Sequence, residues 1–146
     1  MNIWMALPVV IAAGVAASLQ APVNAAMARV VENSLLAAAV SFGVGFCVLT
    51  VVVLVTGGAE AVPKVAGASW WMFFGGALGA FYVWGALWGV PVLGVVTMVS
   101  ALILGQMVAA LAVDYVGAFG LPVRELSVPR VLGAVFVAAG VVLSRF

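Results

Sequence analysis

The sequence predicts an all-α integral membrane protein. Of its 146 residues, 68% are hydrophobic and 6% are charged, and the mean hydropathy is +1.40. A soluble domain of this size could not bury so much apolar surface. The charges are also widely separated, because none occurs in residues 1–28, 33–59, 65–113 or 131–144. A helix crosses the hydrocarbon core in about 20 residues, so each gap can hold a membrane span, and the longest can hold two.

We predict a single transmembrane domain, residues 1–146, with five spanning helices. The first helix ends near Gln20 or continues past Pro22 toward Val30, since neighbouring helices can satisfy the carbonyl that a proline frees. The five predicted spans cover residues 3–20, 34–56, 69–89, 94–112 and 129–144.

Local signals set the predicted ends of these helices. Asn33 lies in a capping segment before the second helix, and Gly57-Gly58 ends it ahead of a short polar loop. The third and fourth helices separate at Gly89-Val90-Pro91. A longer loop over residues 113–128 precedes Pro129, which suits the first position of the last helix.

Other classes of protein fit the residues poorly. The run from Val51 to Val55 is β-branched, but strands of a membrane barrel alternate apolar and polar residues, and these stretches are apolar throughout. A cleaved signal segment is an alternative for the first helix, although no lysine or arginine precedes it. The chain has no histidine and one cysteine, Cys47, so we expect no catalytic, metal or cofactor site and no nucleic-acid partner.

The positive charges give only a small orientation bias. With five spans, Lys64, Arg124 and Arg130 lie on one side of the membrane, and Arg29 and Arg145 lie on the other. A difference of three positive residues against two is small, so it favours insertion in both orientations. The two chains of the resulting antiparallel homodimer, ten helices in all, would form an inverted repeat. Orientation fixed by the N-terminus, with an oppositely oriented homologue as partner, is the alternative.

Polar side chains within the spans are the candidates for contact with a solute. Gln20 and Asn24 lie four residues apart, on one side of the first helix and next to Pro22. Thr97 and Gln106 lie on opposite faces of the fourth helix. Each has a structural alternative, which is hydrogen bonding to the backbone or to a neighbouring helix.

The third helix carries both a packing pattern and aromatic residues. Gly75, Gly79 and Tyr82 share one face, and the glycine spacing is typical of helices whose backbones approach closely. Tyr82, Trp84 and Trp88 could stack against an organic or cationic solute, and packing in the core or against lipid is the alternative role for the two tryptophans. Trp70 and Trp71 suit an interfacial anchoring role near the end of the span.

Several short motifs, in order along the chain, resemble one family. They are Gln20-Ala-Pro-Val-Asn24, Ser41-Phe-Gly-Val-Gly45, Trp70-Trp71, Gly75-Gly-Ala-Leu-Gly79-Ala-Phe-Tyr82, Gly105-Gln106, Asp114-Tyr-Val-Gly117 and Arg130-Val-Leu-Gly133. The chain resembles the YdcZ-like family of bacterial inner-membrane proteins in the drug/metabolite transporter superfamily. The resemblance implies five-span proteins that occur alone, in pairs or fused and that assemble antiparallel. Small multidrug relatives use a buried glutamate in the first helix, which this chain lacks, so their proton exchange is not expected here.

The sequence thus predicts a small secondary transporter, or half of one, that moves a small organic solute across the inner membrane. A neutral or cationic solute suits an asparagine, a glutamine and aromatics better than a strong anion does. The alternative is a non-transporting membrane assembly or a structural protein that interacts with lipid. The candidate residues for lining the solute vestibule are Gln20, Asn24, Ser41, Tyr82, Thr97 and Gln106.

Overall fold

The structure is a computed structural model that describes residues 3–146, so residues 1 and 2 of the predicted domain lie outside it. Within this range the chain is helical and contains no strand. Short 3-10 helices occur at Gly58–Gly67, Trp70–Phe73 and Ala118–Gly120. The α-helices are α1 (Ile3–Val31), α2 (Ser34–Val55), α3 (Phe74–Leu93), α4 (Val95–Val116) and α5 (Val128–Leu143).

Four helical segments are long and apolar enough to cross a membrane. They are Ile3–Val31, Ser34–Val55, Trp70–Leu93 and Val95–Val116. Helix α5 is apolar but has 16 residues, a length of about 24 Å against the roughly 30 Å of hydrocarbon. The predicted helical fold, with apolar helices long enough to span a membrane, is therefore confirmed, while the fifth crossing stays a prediction.

Helix α1 does not end at Gln20 but runs to Val31, with Pro22 inside it. Proline has no backbone N–H and removes one bond of the helical ladder, but this loss bends a helix more readily than it ends one inside a membrane. The predicted cap of α2 is present, because Asn33 Oδ1 accepts a hydrogen bond of 3.0 Å from the backbone N–H of Leu36.

The break between α3 and α4 lies later than the predicted Gly89-Val90-Pro91. Helix α3 passes through Pro91 and ends at Leu93. Gly94 separates the helices with a φ of 77°, a backbone conformation that residues with a Cβ rarely adopt. The glycine conformation, and not the proline, thus sets the position of the break.

The first compact unit extends to Trp88 and contains α1, α2 and most of α3. Helices α1 and α2 pack together, and the 3-10 helix at Gly58–Gly67 packs against α2. The buried side chains of α1 and α2 are mostly small, which allows two membrane helices to approach closely. They are Ala21, Asn24, Ala25, Ala37 and Ala38.

The second compact unit runs from Gly89 to Phe146 and is built around the packing of α4 against α5. Asp114, in the last turn of α4, forms an ion pair with Arg130 in the first turn of α5. The backbone N–H of Arg124 donates to the carbonyl of Asp114 over 2.8 Å. These contacts hold the loop between α4 and α5 against the ends of both helices.

Candidate functional site

Three of the predicted site residues meet between α1 and α2. Asn24 Nδ2 donates a hydrogen bond of 3.1 Å to Ser41 Oγ, and Gln20 Nε2 donates one of 3.3 Å to the same oxygen. Gln20 and Asn24 are one helical turn apart, so both amides reach a single residue on the facing helix. The serine hydroxyl therefore joins the two helices through two hydrogen bonds.

This group of Gln20, Asn24 and Ser41, here called the α1–α2 polar cluster, lies well inside the apolar part of the helices. Asn24 is seven residues before the end of α1, and Ser41 is seven residues after the start of α2. At 1.5 Å per residue each lies about 10 Å from the turn that joins the helices, and Gln20 lies about 16 Å from it. Half of the hydrocarbon thickness is about 15 Å, so the cluster reaches toward the middle of a span of that thickness.

Burial changes across the cluster. Asn24 is 5% exposed, Ser41 is half-buried and Gln20 is exposed. Ser41 Oγ accepts two hydrogen bonds, and its own hydrogen remains to be donated. Within residues 3–146 no hydrogen bond reaches the carbonyl oxygen of either amide side chain. The cluster thus has hydrogen-bonding capacity left over and one accessible side.

Of the other predicted lining residues, Tyr82 belongs to the first compact unit, and Thr97 and Gln106 belong to the second. Thr97 is 5% exposed, and its hydroxyl donates to the carbonyl of Ser144 over 3.0 Å, so it links the start of α4 to the end of α5. Ser144 Oγ lies 3.1 Å from Thr97 Oγ1. Gln106 is exposed on α4, and Tyr82 is half-buried on α3. The structure thus brings together three of the six predicted residues.

The two glycines predicted for helix packing differ in their surroundings. A Cβ built on Gly79 would lie 3.5 Å from Cζ of Phe42, so α3 approaches a side chain of α2 at this point. A Cβ on Gly75 would meet nothing within 4 Å among the described residues. Of these two glycines, Gly79 alone lies close to another helix among the described residues.

Sequence reasoning singled out Trp84 and Trp88 but missed the hydrogen bond that Trp84 makes and the apolar groove beside it. Trp84 Nε1 donates a hydrogen bond of 3.3 Å to Ser34 Oγ at the start of α2, and the Trp84 ring stacks on Trp88 with centroids 6.5 Å apart. A groove of about 490 Å³ opens between α2 and α3. Only the register of α2 against α3 could have revealed these features. The groove is lined by Leu35, Ala38, Ala39, Phe42, Ala80, Phe81 and Trp84.

Apolar helices of spanning length, with a polar cluster inside one helix pair, define a multi-pass membrane protein. Residues 5–143 match the model of the family described as "Putative inner membrane exporter, YdcZ". The chain therefore belongs to this family, which confirms the resemblance and makes it a multi-pass inner-membrane protein with support for a transporter-like role. No match was found among curated proteins or among solved structures.

Proposed function

We propose that this chain is one subunit of a secondary exporter that moves a small organic solute across the inner membrane by alternating access. The observation that carries the proposal is the α1–α2 polar cluster, in which a buried asparagine and an exposed glutamine share one serine hydroxyl inside the spans. Membership of the family described as "Putative inner membrane exporter, YdcZ" also supports a transport function.

The exposed side of the cluster is the reason for placing a solute route there. Transfer of a polar group from water to an apolar medium without a hydrogen-bond partner costs roughly 2–7 kcal/mol of free energy. Gln20 is exposed in the single chain, yet it lies among apolar residues far from the ends of α1. Water, a solute or another protein surface facing Gln20 would avoid this cost, and a transport pathway supplies the first two.

We propose further that the functional unit is an antiparallel homodimer in which each chain is a single five-span domain. Many transporters place their solute site near the bilayer midplane, between repeats of inverted topology. The bias of three positive charges against two is small enough for insertion in both orientations. Two copies of this chain would then supply an inverted pair of polar clusters.

Labelling of single cysteines tests the dimer. Glu60→Cys and Phe146→Cys are made separately in a Cys47→Ala background, and an impermeant thiol reagent is added to either side of sealed vesicles. Labelling of each site in comparable amounts from both sides supports insertion in both orientations. Labelling from one side only rejects the homodimer and directs attention to an oppositely oriented homologue.

Flux into protein-containing liposomes tests transport. Labelled neutral, cationic and anionic organic solutes of similar size are compared with protein-free liposomes, and the variants Asn24→Ala and Gln106→Ala are measured beside the parent. Thr50→Val is the matched control, because the Thr50 hydroxyl bonds the carbonyl of Phe46 in its own helix. Saturable flux that Asn24→Ala abolishes and Thr50→Val retains supports the proposal. Flux unchanged in Asn24→Ala removes the cluster from the pathway.

A second candidate function is interaction with lipid, and the groove between α2 and α3 favours it. Its lining is apolar, and the one indole N–H there already donates to Ser34. Such a surface suits an acyl chain better than a polar solute. A protein that retains lipid at this groove and shows no flux for any solute would support the lipid-interacting assembly.

A further inference from the structure

We infer that the α1–α2 polar cluster binds an uncharged solute that carries N–H or O–H donors, and that water reaches the cluster from the Gln20 side. This inference rests on the proposed transport function and names the class of solute. It depends on which hydrogen-bonding groups the cluster leaves free and on where the charges of the chain lie.

The free groups favour a solute with hydrogen-bond donors. Ser41 Oγ uses its acceptor capacity on the two amide N–H groups, at 3.1 Å and 3.3 Å. The side-chain carbonyl oxygens of Gln20 and Asn24 accept no hydrogen bond from any described residue. Two acceptors and the hydroxyl hydrogen of Ser41 therefore remain for a ligand, and an N–H or O–H group satisfies the acceptors.

The charge distribution favours a neutral solute. Neither α2 nor the part of α1 before Arg29 contains a charged residue. Arg29 lies about 7 Å along the helix axis from Asn24 but about 140° around the helix from it, and Glu32, of opposite charge, follows the end of α1. An ion at the cluster would lose part of its hydration without gaining a partner of opposite charge from α1 or α2, which is unfavourable. An uncharged solute does not carry this cost.

Thiol modification with three reagents of similar size tests the inference without a known substrate. Ser41→Cys and Gln20→Cys are made separately in a Cys47→Ala background and reconstituted in liposomes. Each is treated with the hydroxyethyl, trimethylammonium-ethyl and sulfonatoethyl methanethiosulfonates, which are neutral, cationic and anionic. The rates are divided by those of the same reagents with a free thiol in water, which removes their intrinsic reactivity.

The native thiol supplies the matched control. Cys47 lies six residues from Ser41 on α2, about 120° around the helix, and it is exposed in the single chain. Methanethiosulfonates modify a thiol that water reaches, and Cys47 lies on a different face of α2 from the cluster. The unmodified chain is therefore expected to react with none of the three reagents, whereas a wet cluster reacts. Two cysteine positions are used because Ser41→Cys also removes the hydroxyl that joins the helices.

We expect the neutral reagent to modify Ser41→Cys and Gln20→Cys at least about tenfold faster than either charged reagent. Equal rates, or faster reaction of a charged reagent, overturn the uncharged class. No reaction at either position, with the variants folded, overturns the wet cluster. Selective modification in a protein without flux supports this site and rejects the transport function. Flux together with unselective modification supports the transport function and rejects the uncharged class of solute.

Discussion

The hydrogen bond between Asn24 and Ser41 makes a quantitative prediction about the stability of the α1–α2 pair. Ser41→Ala removes the acceptor for both amide groups, and Asn24→Ala removes the more buried of the two donors. The side chain of Asn24 is 5% exposed, so water does not readily replace the lost bond. Each substitution alone is expected to destabilise the folded protein.

The magnitude follows from the number of bonds and their environment. Interhelical hydrogen bonds in membranes contribute about 0.6 kcal/mol on average and up to about 2 kcal/mol. Ser41→Ala removes two bonds and is expected to cost about 1–3 kcal/mol. The coupling energy between Asn24 and Ser41 is expected to be about 0.5–1.5 kcal/mol, because only one of the two bonds joins this pair.

A double-mutant cycle measures this coupling. The parent, Asn24→Ala, Ser41→Ala and the double variant are unfolded reversibly in mixed micelles of mild detergent and sodium dodecyl sulfate, with helix content as the signal. Thr50→Val on α2 controls for loss of a hydroxyl in the same helix. Its bond of 2.8 Å is to Phe46 within α2, so its removal does not separate two helices.

Two results would refute the reasoning. A Ser41→Ala variant no less stable than Thr50→Val would mean that the serine does not join α1 to α2. A coupling energy of zero would mean that Asn24 and Ser41 contribute independently, and the cluster would then be no more than adjacent polar residues.

Three further predictions concern other parts of the chain. Gly117→Ala is expected to destabilise the fold by about 1–3 kcal/mol, since Gly117 has a φ of 63° and an added Cβ would lie 2.6 Å from Cγ2 of Val123. The control in the same unfolding assay is Gly140→Ala, whose added Cβ meets nothing within 4 Å and which should be neutral or slightly stabilising. Equal effects of the two substitutions would contradict the clash at Gly117. Thr97→Val is expected to cost about 0.6–2 kcal/mol by removing the bonds to Ser144, and a variant as stable as Thr50→Val would argue against this link. No acidic residue or histidine occurs in the spans away from their ends. A pH gradient imposed across liposomes is therefore not expected to drive solute flux. A several-fold increase in flux would show a coupling of solute flux to protons that the chain's own side chains do not explain.

The helical elements could be predicted with fair accuracy from local signals. Asn33 caps α2 as expected, and the chain after Thr56 leaves the helix at Gly57. Two of the differences arise at prolines, since Pro22 and Pro91 lie inside helices in the structure, and α4 also runs past the predicted residue 112 to Val116. A sequence pattern shows that a proline lacks its N–H, but it does not show whether neighbouring groups compensate for the lost bond.

The candidate site could be predicted only in part. Gln20 and Asn24 stand out because amides are rare inside apolar spans, and the family motifs added Ser41. Thr97 stood out as a polar residue in a span, yet in the structure its hydroxyl joins α4 to α5. Rarity in a span therefore identifies polar residues that need partners, but it does not distinguish a solute from a neighbouring helix.

The sequence by itself determined that this chain is a helical membrane protein, because composition and the spacing of charges depend only on the order of residues and the thickness of the bilayer. Only the tertiary structure decided which polar groups meet. The register of α1 against α2 brings Asn24 to Ser41, and the register of α4 against α5 brings Thr97 to Ser144. Register depends on side-chain packing between helices that are all apolar, and no one-dimensional pattern in such helices specifies it.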